Sequence, residues 1–389
     1  MSLRDTNIDR MRDGVIDVAI IGGGINGAVT AASLAGRGAS VALVDRADFA
    51  SETSQQSSNL VWGGFKYLEN YELPLVYKLC QSRNRLMKAY PDNVAELSFL
   101  AALDDSSPYP PWFAALGATA YWGIGRFRTR SPRLLSAEAI KDTEPAIDIS
   151  GVRGGIEYRD AYLRDNDARF VFGFVRSAIE SGAAVANYVE LTDARRVGLH
   201  DLESGERFEM RARTLVNAAG PYVDGLNSDW GVNTDHRIVY SKGIHLIVNR
   251  LTTSEHQRVL AFFDDSGRLF YVIPMGLRSV IGTTDTRTDD PHAGVTDDDR
   301  AFLLTQINKR LDLPTPLTTD DIIAERCGVR PLVVPNSGGD QTEVDWTSLS
   351  RKHEIEVDRA RSVITIFGGK LTDCLNVGEE VADAVEALG

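Results

Sequence analysis

Three glycines within six residues, Gly22-x-Gly24-x-x-Gly27, constrain this chain more than any other feature. They follow the apolar run Ile16-Asp17-Val18-Ala19-Ile20-Ile21 and open the small-residue stretch Ala28–Ala35. A strand-length apolar run, a glycine turn and a small-residue helix make the first half of a βαβ unit. A second apolar run, Ser40–Val44, ends in Asp45 and completes the unit within the ~30 residues such a unit takes. The first glycine permits the tight turn, the second lets backbone approach a pyrophosphate, and the third lets helix and strand pack closely. The helix start, with Ile25 and Asn26, offers free N–H groups and partial positive charge to phosphates. Asp45, beside Arg46, stands about 20 residues beyond the turn, where a carboxylate can accept both hydroxyls of an adenosine ribose. A carboxylate there disfavours a 2′-phosphate, so NADP is the least suitable ligand. The motif implies a dinucleotide and does not choose between FAD and NAD.

The 389 residues leave room for two domains at about 100–200 residues each. Acidic residues outnumber basic ones 55 to 42, and a net charge of −13 repels phosphate backbones, so nucleic acid is not an expected partner. Cys80, Cys327 and Cys374 are scattered and form no zinc-ligand or disulfide framework. No metal is expected. The polar N-terminal stretch lacks the apolar core of an export signal, and a cytoplasmic location follows as an expectation.

The rest of the pattern predicts an α/β chain, α+β taken overall, with a Rossmann-like domain and a second domain on an antiparallel sheet. A helix near Asp167–Ser181, strands around Ala184–Val189 and Thr192–Leu199, and the run Arg213–Ala219 before Gly220-Pro221 extend the α/β pattern. Strand-like stretches at Ile244–Val248, Leu269–Ile273 and Ser279–Gly282, with no long helix between them, read as the antiparallel sheet. The acidic stretch Thr283–Asp299 reads as its boundary, followed by a helix at Asp298–Leu311. Strand, glycine turn and helix return at Ser362–Phe367, Gly368-Gly369-Lys370 and Leu371–Ala387. The expected division gives residues 1–95, 150–235 and 325–389 to the dinucleotide domain, and 96–149 and 236–324 to the substrate domain. The uncharged segment Pro108–Gly125 is too short to span a bilayer, at about 15 helical residues against the roughly 20 needed.

Beyond Asp45 the chain turns to Ser51-Glu52-Thr53-Ser54-Gln55-Gln56-Ser57-Ser58-Asn59-Leu60, a run suited to lining a polar ligand, although composition alone favours a solvated surface loop. Ser57–Glu69, with Trp62-Gly63-Gly64-Phe65-Lys66-Tyr67, resembles the serine-rich signature of FAD-dependent glycerol-3-phosphate dehydrogenases. The blocks Leu215–Pro221, Lys242-Gly243-Ile244-His245, Ile281–Asp285, Gly328-Val329-Arg330-Pro331-Leu332 and Phe367–Thr372 are similar to that family in the same order. The resemblance implies FAD, a flavin domain of glutathione-reductase type assembled from separate segments, and an antiparallel substrate domain like that of D-amino-acid oxidase. Thr53, Ser54, Ser57, Ser58, Asn59, Leu60, Val189, Ala219, Gly220, Gly369, Lys370, Leu371 and Thr372 are the further expected cofactor contacts.

The reaction so implied is hydride removal from a small hydroxylated, anionic substrate, glycerol 3-phosphate foremost; amine or amino-acid oxidation on the same fold is the alternative. A flavoprotein without turnover is a third reading. His245 is the candidate base, Arg330 the anion clamp, with Lys370, Lys66 and Tyr67 beside them, while His200, His236, His256, His292 and His353 read as surface residues. The family's histidine and arginine are here Trp62 and Lys66, so the indole offers no covalent flavin anchor and noncovalent FAD is expected. Lys66 keeps charge without bidentate geometry. The family usually continues into a C-terminal helical domain, and this chain stops just after the glycine-lysine helix. Quinone, oxygen and a protein remain open as electron acceptor. Trp112–Gly125, with Arg126, Arg128, Arg130 and Arg133 after it, resembles a region that approaches the bilayer in membrane-associated members. A peripheral contact at the inner membrane face is one reading and a lid over the substrate domain the other, which the acidity of the chain favours.

Overall fold

The computed structural model describes residues 2–69, 71–193, 197–252, 257–336 and 352–389. Val15–Ile21 lies at the centre of a six-stranded sheet. Its neighbours are Val41–Val44 and Arg211–Asn217, both parallel to it; Ala184–Ala186 lies outside the first and Val363–Gly368 outside the second, again in parallel pairs. His353–Asp358 closes the edge antiparallel to Val363–Gly368. Strands buried on both faces must be apolar throughout, and Val18, Ala19, Ile20 and Val41–Val44 are all buried.

The helix Ile25–Gly36 covers one face and is itself covered by the helices Asp167–Glu180 and Cys374–Glu386. Small residues permit that close approach: a Cβ on Gly378 would lie 3.0 Å from the Val29 carbonyl oxygen. Phe170, Val171, Phe174 and Val175 fill the interface from the second helix, each worth about 1.5–3 kcal/mol when fully buried. A three-stranded meander, Val189–Asp193, Gly198–Asp201 and Arg207–Glu209, lies beside the sheet where a single strand around Thr192–Leu199 was expected.

The second sheet has ten strands and is antiparallel except where Arg258–Phe263 runs parallel to Val94–Leu103. Its longest pair joins His236–Asn249 to Ala324–Pro335. Sheet membership crosses the expected segment boundaries here. Gly154–Leu163 and Leu60–Val61 belong to this sheet, as does Ala324–Pro335, and Thr286–Thr288 extends it as an edge strand within the stretch expected to bound it. Hydrogen-bond pairing made these assignments, and hydrophobic pattern alone carries no information about pairing partner.

The helix Pro111–Ile124 rests on this unit by Ala118 and Tyr121. Trp112 is 64% exposed and Leu116 61%, so a second apolar face of this helix points away from the protein. Under it lies a buried ion pair: Arg83 Nη1 is 3.0 Å from Asp160 Oδ1, and Tyr121 donates to Asp160 Oδ2 at 2.7 Å. The Gly63 N–H faces the same carboxylate at 3.3 Å, which ties the Gly63-Gly64 turn to three elements at once.

Candidate active site

A cleft of about 740 Å³ runs along the carboxyl ends of the parallel strands, the place where open α/β sheets bind ligands. Of the residues expected to bind a cofactor, Gly22, Gly24, Ile25, Asn26, Asp45, Arg46, Thr53, Ser54, Val189, Ala219, Gly220 and Gly369 line it. Gly27 lies behind the turn, where a Cβ would sit 1.8 Å from the Gly22 carbonyl oxygen. Only glycine fits there. Asp45 accepts from the Gly23 N–H at 2.6 Å and the Ala47 N–H at 2.8 Å. Burial raises its pKa against the pull of those two donors. Ser54 Oγ accepts from the Ile25 N–H at the helix start, 3.0 Å away.

At the far end of the cleft the two glycine turns meet. Asn26 Nδ2 donates to the Gly368 carbonyl oxygen at 2.9 Å, and its buried Oδ1 has no partner among the described residues. A glycine-lined trough, a carboxylate at one end and an orphaned amide oxygen at the other suit a long polar molecule such as a dinucleotide.

Ser57, Ser58, Asn59 and Leu60 do not line the cleft. Ser57 N–H donates to Asp167 at 2.8 Å, Asn59 Oδ1 accepts from the Asp167 N–H, and Leu60 pairs with Tyr162, so the run fastens the loop to the helix Asp167–Glu180 and the larger sheet. Ser58 is half-buried beside them. Leu371 packs on the core, and Thr372 donates to the Trp62 carbonyl oxygen at 3.2 Å. Among cleft residues not foreseen, Tyr222 carries the Arg46 guanidinium 4.1 Å from its ring centroid. The Gly220-Pro221 turn just before it was the available signal.

The catalytic candidates stand outside the cleft proper in two groups. Ser241, Gly243 and His245 alternate along one strand and so share a face, together with their cross-strand partners Arg330, Gly328 and Arg326. Gly282 and Tyr271 continue the His245 row. The glycines leave space that functional side chains fill. A Cβ on Gly243 would be 2.0 Å from Arg330 Nη2, and one on Gly282 would be 2.7 Å from the His245 ring. The glycine of one block therefore makes room for the side chain of another.

Arg330 is held by Asp285 at 3.4 Å and Thr283 Oγ1 at 2.8 Å. His245 is buried, and neither ring nitrogen has a partner among the described residues. Burial, then the charges of Arg330 and Arg326, push its pKa down to about 3, so it is a neutral imidazole. In the second group Lys370 Nζ donates to Tyr67 Oη at 2.7 Å and lies 3.8 Å from that ring's centroid, with Trp62 6.0 Å beyond. Lys66 is half-buried one residue before Tyr67.

His353 departs from the surface reading: it is buried between two carboxylates. His256 lies outside the described residues.

The profile of the family described as FAD dependent oxidoreductase matches residues 17–368. Aerobic glycerol-3-phosphate dehydrogenases of Staphylococcus haemolyticus and Bacillus subtilis are 31% and 32% identical to the chain, covering 94% and 98% of it and 66% and 69% of their own length. The chain thus spans about two thirds of these relatives. The crystal structure of a glycerol-3-phosphate dehydrogenase from Bacillus halodurans complexed with FAD is similar with a TM-score of 0.77 and 26% identity, over 99% of this chain and 67% of that one. Glycine oxidase from Geobacillus kaustophilus shares the fold, with a TM-score of 0.68 and 20% identity over 96% of this chain and 95% of that one.

Proposed function

Because the chain belongs to the family of FAD dependent oxidoreductases, we propose that it oxidises a small anionic secondary alcohol, glycerol 3-phosphate foremost, with FAD held noncovalently in the cleft. One observation carries the substrate class: Arg330 lies flat over Gly243 two residues from the buried, unpartnered His245. A fixed guanidinium and a neutral imidazole on one face suit a molecule with an anion at one end and a hydroxyl near it.

FAD, when bound, supplies the hydride acceptor. Gly22, Gly24 and the helix start would hold its pyrophosphate, and Asp45 its ribose. Arg330 orients the substrate by its anionic group, and His245 accepts the hydroxyl proton on a ring nitrogen. Pairing of Arg330 with that anion cancels a charge that depresses His245, so the imidazole gains basicity when substrate arrives. Lys370 and Tyr67 form a charged hydrogen-bonded pair at the turn facing the flavin end of the cleft.

Anaerobic bleaching of the flavin by glycerol 3-phosphate, and not by glycine, sarcosine or D-amino acids, is the expected result. Bleaching by the amino compounds alone would transfer the chain to the amine-oxidising reading. Dithionite reduction with no response to either set would favour a flavoprotein without turnover.

Among the described residues no helix is long and apolar enough to cross a membrane. The outward face of Pro111–Ile124, with Trp112, Phe113 and Leu116 exposed and Arg126, Arg128 and Arg130 following, supports a peripheral membrane contact. Replacing Trp112, Phe113 and Leu116 by Ser is expected to lower co-sedimentation with anionic liposomes about tenfold or more, at ~25 cal/mol per Å² of apolar area withdrawn. Equal sedimentation of both proteins would remove this contact.

A further inference from the structure

The turn that closes the flavin end of the cleft, Gly368-Gly369-Lys370, is backed by a cluster the reaction above does not use. His353 opens the edge strand and is the register partner of Gly368. Its Nδ1 is 3.2 Å from Asp373 Oδ2 and its Nε2 is 2.8 Å from Glu380 Oε2. A neutral imidazole has one N–H, so facing a carboxylate with both nitrogens requires the doubly protonated ring.

Asp373 ends the short turn Leu371–Asp373 that leads out of Lys370 and into the helix Cys374–Glu386. It also accepts from Ser82 Oγ at 2.7 Å and Asn376 Nδ2 at 2.6 Å. The charged groups facing His353 are Asp373 and Glu380 from the turn and its helix, and Lys78 from the helix Leu73–Ala89, which lies 3.4 and 3.2 Å from those carboxylates. Lys352, Glu354 and Lys370 border the same cavity, of about 250 Å³.

We propose that His353 is a positioning residue for the cofactor: as an imidazolium gripping Asp373 and Glu380, it fixes the Gly368–Lys370 turn against the FAD site. Burial opposes the charge, but the bonds to Asp373 and Glu380 outweigh it and raise the pKa of His353 above that of a free imidazole. Asp373 shows the counterpart: burial raises its pKa, and His353, Ser82 and Lys78 together bring it below the usual carboxylate range. The grip is therefore complete below pH ~6.5, the free-imidazole value, and is lost as pH rises through the raised value. When it is lost, the turn loosens and FAD affinity falls. By reciprocity, FAD raises the pKa of His353.

This rests on FAD occupying the cleft and not on which substrate is oxidised, so its test uses apoprotein re-titrated with FAD. The dissociation constant, from quenching of flavin fluorescence, is expected to rise about tenfold between pH 6.5 and 9. In His353→Gln it should be nearly independent of pH, and in Glu380→Gln the midpoint should move to lower pH. The NMR titration of the His353 ring should move upward when FAD is added. Parallel pH dependences in the wild type and His353→Gln would overturn the proposal. Should that variant fail to fold, an unchanged midpoint in Glu380→Gln, at a side chain about half exposed, would overturn it equally.

Discussion

Arg330→Ala is expected to abolish bleaching of the flavin by glycerol 3-phosphate while the yellow cofactor stays bound. The guanidinium is one of two on the His245 face, Arg326 being the other, and is the one we propose for the substrate anion, whereas the residues we propose for FAD line the cleft. Losing two charge-assisted hydrogen bonds to an anion, each worth ~1.5–3 kcal/mol, corresponds to a fall of about 10²–10⁴ in the second-order rate of flavin reduction. A companion substitution separates position from charge. Gly243→Ala leaves Arg330 in the sequence but puts a methyl where Nη2 now lies. Displacement of about 1 Å is enough to cost 10²-fold in rate, so both variants should retain FAD and lose substrate response. Unchanged reduction in Arg330→Ala would take that residue out of the site.

His245→Asn should lower the rate constant for flavin reduction by about 10²–10⁴ with little change in FAD affinity, the usual worth of general-base help. The pH dependence carries further information. With its pKa pushed down to about 3 by burial and two neighbouring arginines, His245 stays neutral from pH 5 upward in the free protein, so the second-order rate of reduction at low substrate should show no acid limb belonging to it there. In Arg330→Ala one source of that depression is gone, and the ring's NMR titration should move upward. The same group affects stability in the opposite sense to His353. Its folded pKa lies below the unfolded value, so the unfolded chain takes up the proton first, and stability is lost as pH falls from ~6.5 toward 3. A second-order rate of flavin reduction at low substrate that follows an ordinary imidazole titration near pH 6.5 would contradict the buried, unpartnered setting of this residue.

How much of this was legible in the sequence depended on whether function and packing wrote the same pattern. The cradle was legible because Gly22, Gly24 and Gly27 are required by backbone approach, and Asp45 by its place at a strand end. The helix Leu73–Ala89 was not read as a helix. Its buried positions Val76, Leu79, Cys80, Arg83 and Leu86 have helical spacing, but a buried arginine occupies one of them, and its partner Asp160 is 77 residues away. Periodicity counts Arg83 as polar and sees a broken stripe.

His353 was misread for a related reason. Its neighbours in sequence are Lys352 and Glu354, as on a surface, whereas its burial comes from Asp373 and Glu380 beyond the next strand. The serine-rich loop shows the converse. Its composition suited a ligand or a solvated loop, and here the Ser57 backbone N–H and the Asn59 side-chain oxygen bond Asp167, a partner 110 and 108 residues away that composition does not point to. Outward exposure of Trp112 and Leu116 likewise depended on which face of an uncharged helix met the sheet, and a helix apolar all round does not encode that choice.

The bond from Asn26 to the Gly368 carbonyl joins positions separated by 342 residues. A ribosome releasing this polypeptide would emit the amino-terminal half of the cradle long before the segment that completes it. The intervening antiparallel sheet must be accommodated meanwhile as a detour in the path of the growing chain. Capture of the flavin we propose between these two turns is thereby placed late in maturation, and a shortage of FAD is expected to show as a failure of the two distant ends to stay together.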